Sequence, residues 1–292
     1  MTHSDDGLSA GDVARRIGVA VTTVRTWDRR YGLGPAVREE GRHRRYQPGD
    51  VARLERMRQL VSDGVAPAEA ARIAGSGRPA PRRVARAEPA ASPDARVRGL
   101  RRAAYAMDST QMRRILADAV RRDVVGAWTD LMCPTLRDIG RRHAATGRYV
   151  EVEHLLSHEI SYALAAVPAP RGRARILLAC GPDEQHSLAL EALAAALADR
   201  GRPARMLGGR VPVDSLAAAI TRTGPQAVVL WSHHARPGDV AQLNVARAAR
   251  PRPPLVAVAG PGWIGRSVPA GAIAFADLPT ALDAVDRATR RG

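Results

Sequence analysis

Four short apolar runs, ARILLAC, ARML, AVVLWS and LVAVAG, recur between residues 174 and 260, and helix-length stretches such as SLALEALAAALADRG lie among them. An unbroken apolar run of strand length suits a strand covered on both faces, which is the signature of a parallel sheet with helices on either side. With AIAF near the C-terminus as a fifth strand, residues 174–292 read as a flavodoxin-like doubly wound parallel sheet. Ligands of such domains bind beyond the carboxyl ends of the strands. The loops GPDEQH, GGRVP, SHHARPG and GPGW are therefore where a site would form.

Upstream the apolar period changes. Residues 96–167 keep helical spacing in DSTQMRRILADAVRRD, VVGAWTDLMCPTLRDIGRRHAA and VEVEHLLSHEISYALAAV, and Asp108 or Ser109 can cap the first of these. Short-linked helices predict an antiparallel bundle, with Trp128, Met132 and Leu136 in its core. The break PAPRGR, 168–173, separates bundle from sheet. Residues 76–95, SGRPAPRRVARAEPAASPDA, have no apolar period and read as a flexible basic linker. The organisation expected is 1–75, linker 76–95, bundle 96–167 and sheet domain 174–292.

All 45 basic residues are arginine, and the formal net charge is +16. That balance favours a polyanionic partner, nucleic acid or an acidic membrane surface. An arginine-only chain rich in Ala, Gly and Pro also carries the mark of a GC-rich coding bias, so charge alone decides little. Cys133 and Cys180 are far apart in apolar runs, which argues against a disulfide scaffold and fits a reducing cytoplasm. The acidic, polar N-terminus does not read as a signal peptide, and no apolar stretch reaches the roughly 18 residues of a membrane span. A cytoplasmic protein with no membrane partner is expected.

The first segment has the grammar of a winged helix-turn-helix. Ser9 and Asp12 form an approximate capping box for SAGDVARRIG, and Gly18 ends that helix. A second helix follows in VTTVRTWDRRYG, where Val24 and Trp27 face inward. Thr22, Thr23, Arg25 and Arg29 can reach base edges and phosphates in a major groove, with Tyr31 in the turn that follows. Arg38 and the run Arg42, His43, Arg44, Arg45, Tyr46 flank a hairpin turn at Glu40-Gly41. A basic hairpin beside a recognition helix is a wing, aimed at phosphate backbone. A third helix, DVARLERMRQLVSDG, packs behind.

The string TVRTWDRRYGLGPAVREEGRHRRYQPGDVARL closely resembles the DNA-binding domain of the MerR family over residues 7–75. The arginine run before Tyr31, the Arg after the Pro, the His-Arg-Arg-Tyr wing and the Asp-Val-x-x-Leu opening the next helix carry the match. Ala20 departs from it, standing where a capping Ser is usual. The resemblance implies a homodimer or higher homo-oligomer on a near-palindromic promoter duplex, often with DNA distortion, and makes RNA polymerase a candidate further partner.

Several polar residues of the later segments stand in unusual surroundings. His186 follows a strand, Glu153 and His154 sit mid-helix, and Ser232, His233 and His234 close another strand. A bundle above a sheet, with imidazoles on both, could clamp a flat cofactor. These segments resemble the light-sensing, cobalamin-binding MerR regulators of the CarH and LitR type. In that family an Asp/Glu-x-His-x-x-Gly loop supplies the lower ligand to cobalt; Glu184, His186 and Ala189 occupy it here, so the His is kept and the Gly is lost. Ser232-His233-His234 stands for the family's Ser-x-Leu, and Ala259-Gly260-Pro261-Gly262 for its Gly-Gly loop at the nucleotide tail. Glu153 and His154 match its bundle pair. His143 replaces the Trp that shields the upper face, and Ala144 the light-sensing His.

The cofactor residues the resemblance implies are His143, Glu153, His154, Glu184, His186, Ser232, Gly260 and Gly262, with His186 the cobalt ligand if cobalamin is held. Glu151, His154 and His158 also have metal-like spacing, without a further carboxylate or Cys cluster beside them. The expectation is a sequence-specific DNA-binding regulator, not an enzyme, with a cobalamin-sensor-like module. The alternative is a regulator whose pocket has degenerated and which answers to another ligand or a protein. A cobalamin-dependent enzyme fits less well, because a substrate barrel of about 250 residues has no room here.

Overall fold

Ser9 opens the first helix as the spacing predicts. Its hydroxyl accepts from the Asp12 N–H at 3.2 Å, and the Asp12 carboxylate accepts from the Ser9 N–H at 3.2 Å, closing the capping box. The computed structural model describes residues 7–36, 44–62, 65–76 and 93–290. It divides into two units, Met1–Gln111 and Met112–Gly292.

In the first unit, β1 (Leu8–Ser9) leads into α1 (Ala10–Ile17), which ends at Gly18 with φ 66°. Then come α2 (Val21–Tyr31), β2 (Arg45–Tyr46), α3 (Pro48–Ser62), α4 (Pro67–Gly75) and α5 (Pro93–Tyr105). β1 and β2 pair antiparallel, Leu8 opposite Tyr46. Val13, Ile17, Val24, Trp27, Leu54 and Met57 fill one core. Val24 and Trp27 point inward from α2, as their i, i+3 spacing predicts. α2 begins at Ala20, whose extended backbone offers no side-chain cap. Ala20→Ser should therefore supply an acceptor for the first-turn N–H groups and stabilise this unit by about 1 kcal/mol. The expected readout is a rise of roughly 4–8 °C in its thermal transition.

The second unit takes in most of α6 (Ser109–Arg122), which Asp108 caps by accepting from the Gln111 N–H at 2.9 Å. α7 (Val124–Gly126) runs through a wide π-type turn, Ala127–Met132, into α8 (Cys133–Thr146), and α9 (Val150–Ala165) follows. Pro134 lacks the N–H for a normal helical bond, a local reason for the widened turn before it. Met132 is fully buried there, while Trp128 and Leu136 are half-buried.

The sheet then alternates with helices: β3 (Ile176–Cys180), α10 (Leu188–Asp199), β4 (Ala204–Met206), α11 (Val213–Thr223), β5 (Ala227–Trp231), α12 (Pro237–Ala248), β6 (Leu255–Ala259), β7 (Ile273–Phe275) and α13 (Leu278–Arg290). Strand order is β4-β3-β5-β6-β7, all parallel, the flavodoxin-like order. Leu177, Ala179, Val228, Leu230, Val256 and Val258 pack against α11 and α12. By strand alternation the opposite face meets α10 and α13.

Asp286 fastens α13 to the segment before β4. It accepts from Arg202 Nε at 2.7 Å and from Arg290 Nε and Nη2 at 2.9 and 2.5 Å. The Arg290 hydrogen bond, helped by Arg202 and opposed by burial, holds its carboxyl below the ordinary range. Because the folded pKa is depressed, this stability is present above the unfolded carboxylate pKa of about 3.9 and is lost as pH falls through the folded value. Asp286→Asn should cost about 2 kcal/mol near neutrality, and the gap to the parent should close below about pH 3 in denaturant titrations.

Candidate functional site

Two surfaces carry the residues of interest, one in each unit. On α2, Thr22, Arg25 and Arg29 are exposed on one side of the helix; Thr23 is half-buried, and Tyr31 packs partly against the core. The base of the wing is built from two buried carboxylates. Asp50 accepts from the Ala36 N–H at 3.3 Å, the Gln47 N–H at 2.9 Å and Arg53 Nη2 at 2.6 Å, holding both feet of the wing. Asp28, 3% exposed at its side chain, pairs with Arg44 at 2.8 Å. Gly34 passes so close to the Asp28 carboxylate that a Cβ there would collide with it.

Arg38, Arg42 and His43 and the turn at Glu40-Gly41 lie outside the described residues, as do residues 77–92 of the linker. Two wing assignments change. Tyr46 is 1% exposed and belongs to the core, because β2 alternates and its odd neighbour Arg45 takes the outward place. Arg44 faces Asp28 with one nitrogen, so it anchors the wing as well as presenting charge. Asp28 and Asp50 were not singled out by sequence; the acid opening α3 was the visible signal for the second.

In the second unit, the site gathers at the carboxyl ends of β3, β5 and β6. Glu184, 3% exposed, accepts from the His186 N–H at 2.7 Å with Oε1 and from the His233 N–H at 2.6 Å with Oε2. It thus ties the loop after β3 to the loop after β5. His186 Nδ1 lies 2.6 Å from Oε1. Burial alone would raise the Glu184 carboxyl, but the two N–H donors and the His186 ring hold it below the ordinary carboxylate range. An ionised carboxylate only accepts, so Nδ1 carries the proton, and the neutral imidazole of this tautomer has its lone pair on Nε2. The His186 side chain is 63% exposed, which leaves that lone pair accessible.

The rings of His233 and His234 lie 5.0 and 6.1 Å from that of His186 and 4.7 Å from each other. Burial, then His186 and His234, push His233 below the ordinary imidazole range, with Glu184 opposing. Among the described residues no group of His, Cys, Asp and Glu is arranged to hold a metal ion by itself. Glu151, His154 and His158 are all exposed along α9.

Ser232 is buried. Its hydroxyl lies 2.6 Å from the His234 carbonyl and 2.9 Å from Asp239 Oδ2, which also accepts from the Arg236 N–H at 2.8 Å. Gly260 has φ 106°, and a Cβ there would strike the Ser232 carbonyl; a Cβ on Gly262 would lie 2.7 Å from the His234 carbonyl carbon. Both glycines are thus required by the close approach of the β6 loop to the β5 loop. The acid behind this arrangement, Asp239, was not singled out by sequence, although its place at the start of α12 after Arg-Pro-Gly is a helix-start signal.

The bundle residues do not join this cluster. His143 Nδ1 lies 3.1 Å from the Arg148 carbonyl, and His154 Nδ1 2.9 Å from the Val150 carbonyl; both rings are exposed. Glu153 accepts from the Ser157 hydroxyl at 2.8 Å. No hydrogen bond, ion pair or ring contact links His143, Glu153 or His154 to His186. The tie between bundle and sheet is Glu191, which accepts from Ser187 at 2.7 Å and from Ser161 of α9. Cys180 is pushed up to about 12 by burial, then by Glu184 and Glu191, and burial also raises Cys133, which disfavours the thiolate at both.

The donor set fits a corrinoid at its lower face: a carboxylate-oriented imidazole stands exposed at the strand ends where such domains bind ligands. The family described as MerR HTH family regulatory protein matches residues 8–76, and the B12 binding domain family matches residues 97–167. The HTH-type transcriptional repressor CarH of Myxococcus xanthus is 30% identical over 274 residues, 86% of each chain. The chain belongs to the MerR family, in its CarH-like branch. The repressor CarA of the same organism is 32% identical to this MerR-family chain over 256 residues, 84% of each. A monomethylamine corrinoid protein of Methanosarcina barkeri shares the fold of the effector half, with TM-score 0.50 at 12% identity, covering 64% of this chain and 96% of that one. The present chain is a DNA-binding regulator with a B12-type module, and its named relatives are repressors rather than enzymes. No helix among the described residues is long and apolar enough to cross a membrane.

Proposed function

We propose that this chain is a cytoplasmic, homo-oligomeric transcription repressor whose grip on promoter DNA is set by a corrinoid held at His186. The observation that carries the reading is the Glu184–His186 pair, a buried carboxylate orienting an exposed imidazole. A corrinoid would supply a cobalt ion that an imidazole can bind. His186 would hold it, Glu184 would orient the His186 ring, and the loops of Ser232, Gly260 and Gly262 would complete the site. Thr22, Arg25 and Arg29 meet the major groove, and Arg45 the phosphates. His143, exposed where the family has Trp, and Ala144, with no imidazole, support a response that does not run through the family's light switch.

The test is to incubate the full chain with cobalamin in the dark and in light, then pass it through gel filtration. Corrin absorbance should co-elute with the protein, and band shifts on a duplex selected from a random library should differ between loaded and apo protein. Protein that shifts DNA but emerges without corrin absorbance favours the second reading, a regulator whose pocket takes another ligand or a protein. The exposed His143 and Ser232's engagement with Asp239 are the observations on that side. The elution volume reports the oligomer, and a pull-down with RNA polymerase tests that partner.

A further inference from the structure

At the opposite end of the sheet from His186, about one strand length away, a cavity of about 280 Å³ is lined by Arg171, Arg173, Arg175, Arg202, Arg290 and Thr289. The first three lie in RGRAR, which bends at Arg171 and Gly172, the latter with φ 114°, and then leads into β3. That segment is fastened by the Arg175 carbonyl, which accepts from the Gln226 N–H at 2.7 Å and the Ala227 N–H at 3.3 Å. Asp286 holds Arg202 by Nε and Arg290 by Nε and Nη2, which fixes two guanidinium planes at the rim. Arg173 donates to the Thr223 carbonyl at 3.3 Å. Arg171 and Arg175 make no ion pair or side-chain hydrogen bond with any described residue.

Arginines at this end have an ordinary duty, since helices packed on a parallel sheet finish where its strands begin. The C-termini of α10, α11 and α13 each carry roughly half a negative charge. Together with Asp286 these offset about half of the five positive charges lining the cavity and leave about two and a half unmatched. A guanidinium fork matches a phosphate oxygen pair. The concave shape suits a compact anion better than the convex backbone of a duplex. We propose that this cavity is a binding site for a compact polyphosphate anion, the size of a di- or triphosphate group, separate from both the DNA surface and the His186 site.

Isothermal titration of the full chain with inorganic tripolyphosphate at 0.15 M salt tests this. One saturable site per chain is expected. Arg171→Ala/Arg175→Ala should weaken it at least tenfold while the melting temperature of the anion-free protein holds, because neither side chain is paired. Arg25→Ala/Arg29→Ala, on the exposed basic side of α2, should leave the titration unchanged. A non-saturating titration would overturn the proposal, as would a loss that follows the α2 variant instead. Weakened duplex DNA binding in the cavity variant with unchanged tripolyphosphate binding would assign these arginines to nucleic acid and overturn it too.

Discussion

His186→Ala is expected to lower corrinoid affinity roughly a hundredfold or more, with little change in melting temperature. The imidazole side chain is 63% exposed, so its loss removes a ligand without opening a core. Glu184→Gln should behave differently. The carboxylate orients the imidazole from behind, and loss of such an outer partner typically costs 10–100-fold. It also joins the β3 and β5 loops through the His186 and His233 N–H groups, so this variant should lose about 1–3 kcal/mol of stability as well. Titration of cobalamin by absorbance, alongside thermal melts, separates the two effects. Equal corrinoid affinity in His186→Ala and the parent would remove His186 from the ligand set.

The double variant Arg25→Ala/Arg29→Ala should weaken operator binding by at least about 30-fold. Each well-placed arginine contributes about 1–3 kcal/mol of discrimination or phosphate attraction, so the pair accounts for about 30-fold to some tens of thousandfold. Both side chains are exposed on α2, and the core behind them, Val24 and Trp27, is untouched. Fluorescence anisotropy at several salt concentrations should show lower affinity and a shallower salt slope. Arg44→Ala should differ, because Arg44 pairs with the buried Asp28: affinity should fall together with stability. Parent-like affinity in the double variant would displace α2 as the recognition helix.

What could be read directly from the sequence was local. The Ser9–Asp12 box, the inward Val24 and Trp27, the Asp108 cap and the five strands each depend on spacings of one to four residues, which backbone geometry converts into faces and caps. Glu184 and His186 are likewise two residues apart, so their contact needs only a turn. The flavodoxin-like order follows from how runs and helices alternate, together with the handedness of crossovers.

Tertiary structure decided the rest. Tyr46 lies in a basic run that reads as a wing, yet it is buried, because pairing of β2 with β1 sets which neighbour faces the core. Arg44 meets Asp28, and the Ala36 N–H meets Asp50, across loops whose paths no local spacing specifies. Gly260 and Gly262 are explained by the carbonyl of Ser232 and the backbone of His234, tens of residues earlier in the chain. The ring cluster of His186, His233 and His234 exists because parallel β3 and β5 are neighbours and deliver their following loops to the same end. The helix α2 was thus determined by residues close together in sequence. The chemistry of the second site came from residues far apart that the sheet brings to one edge.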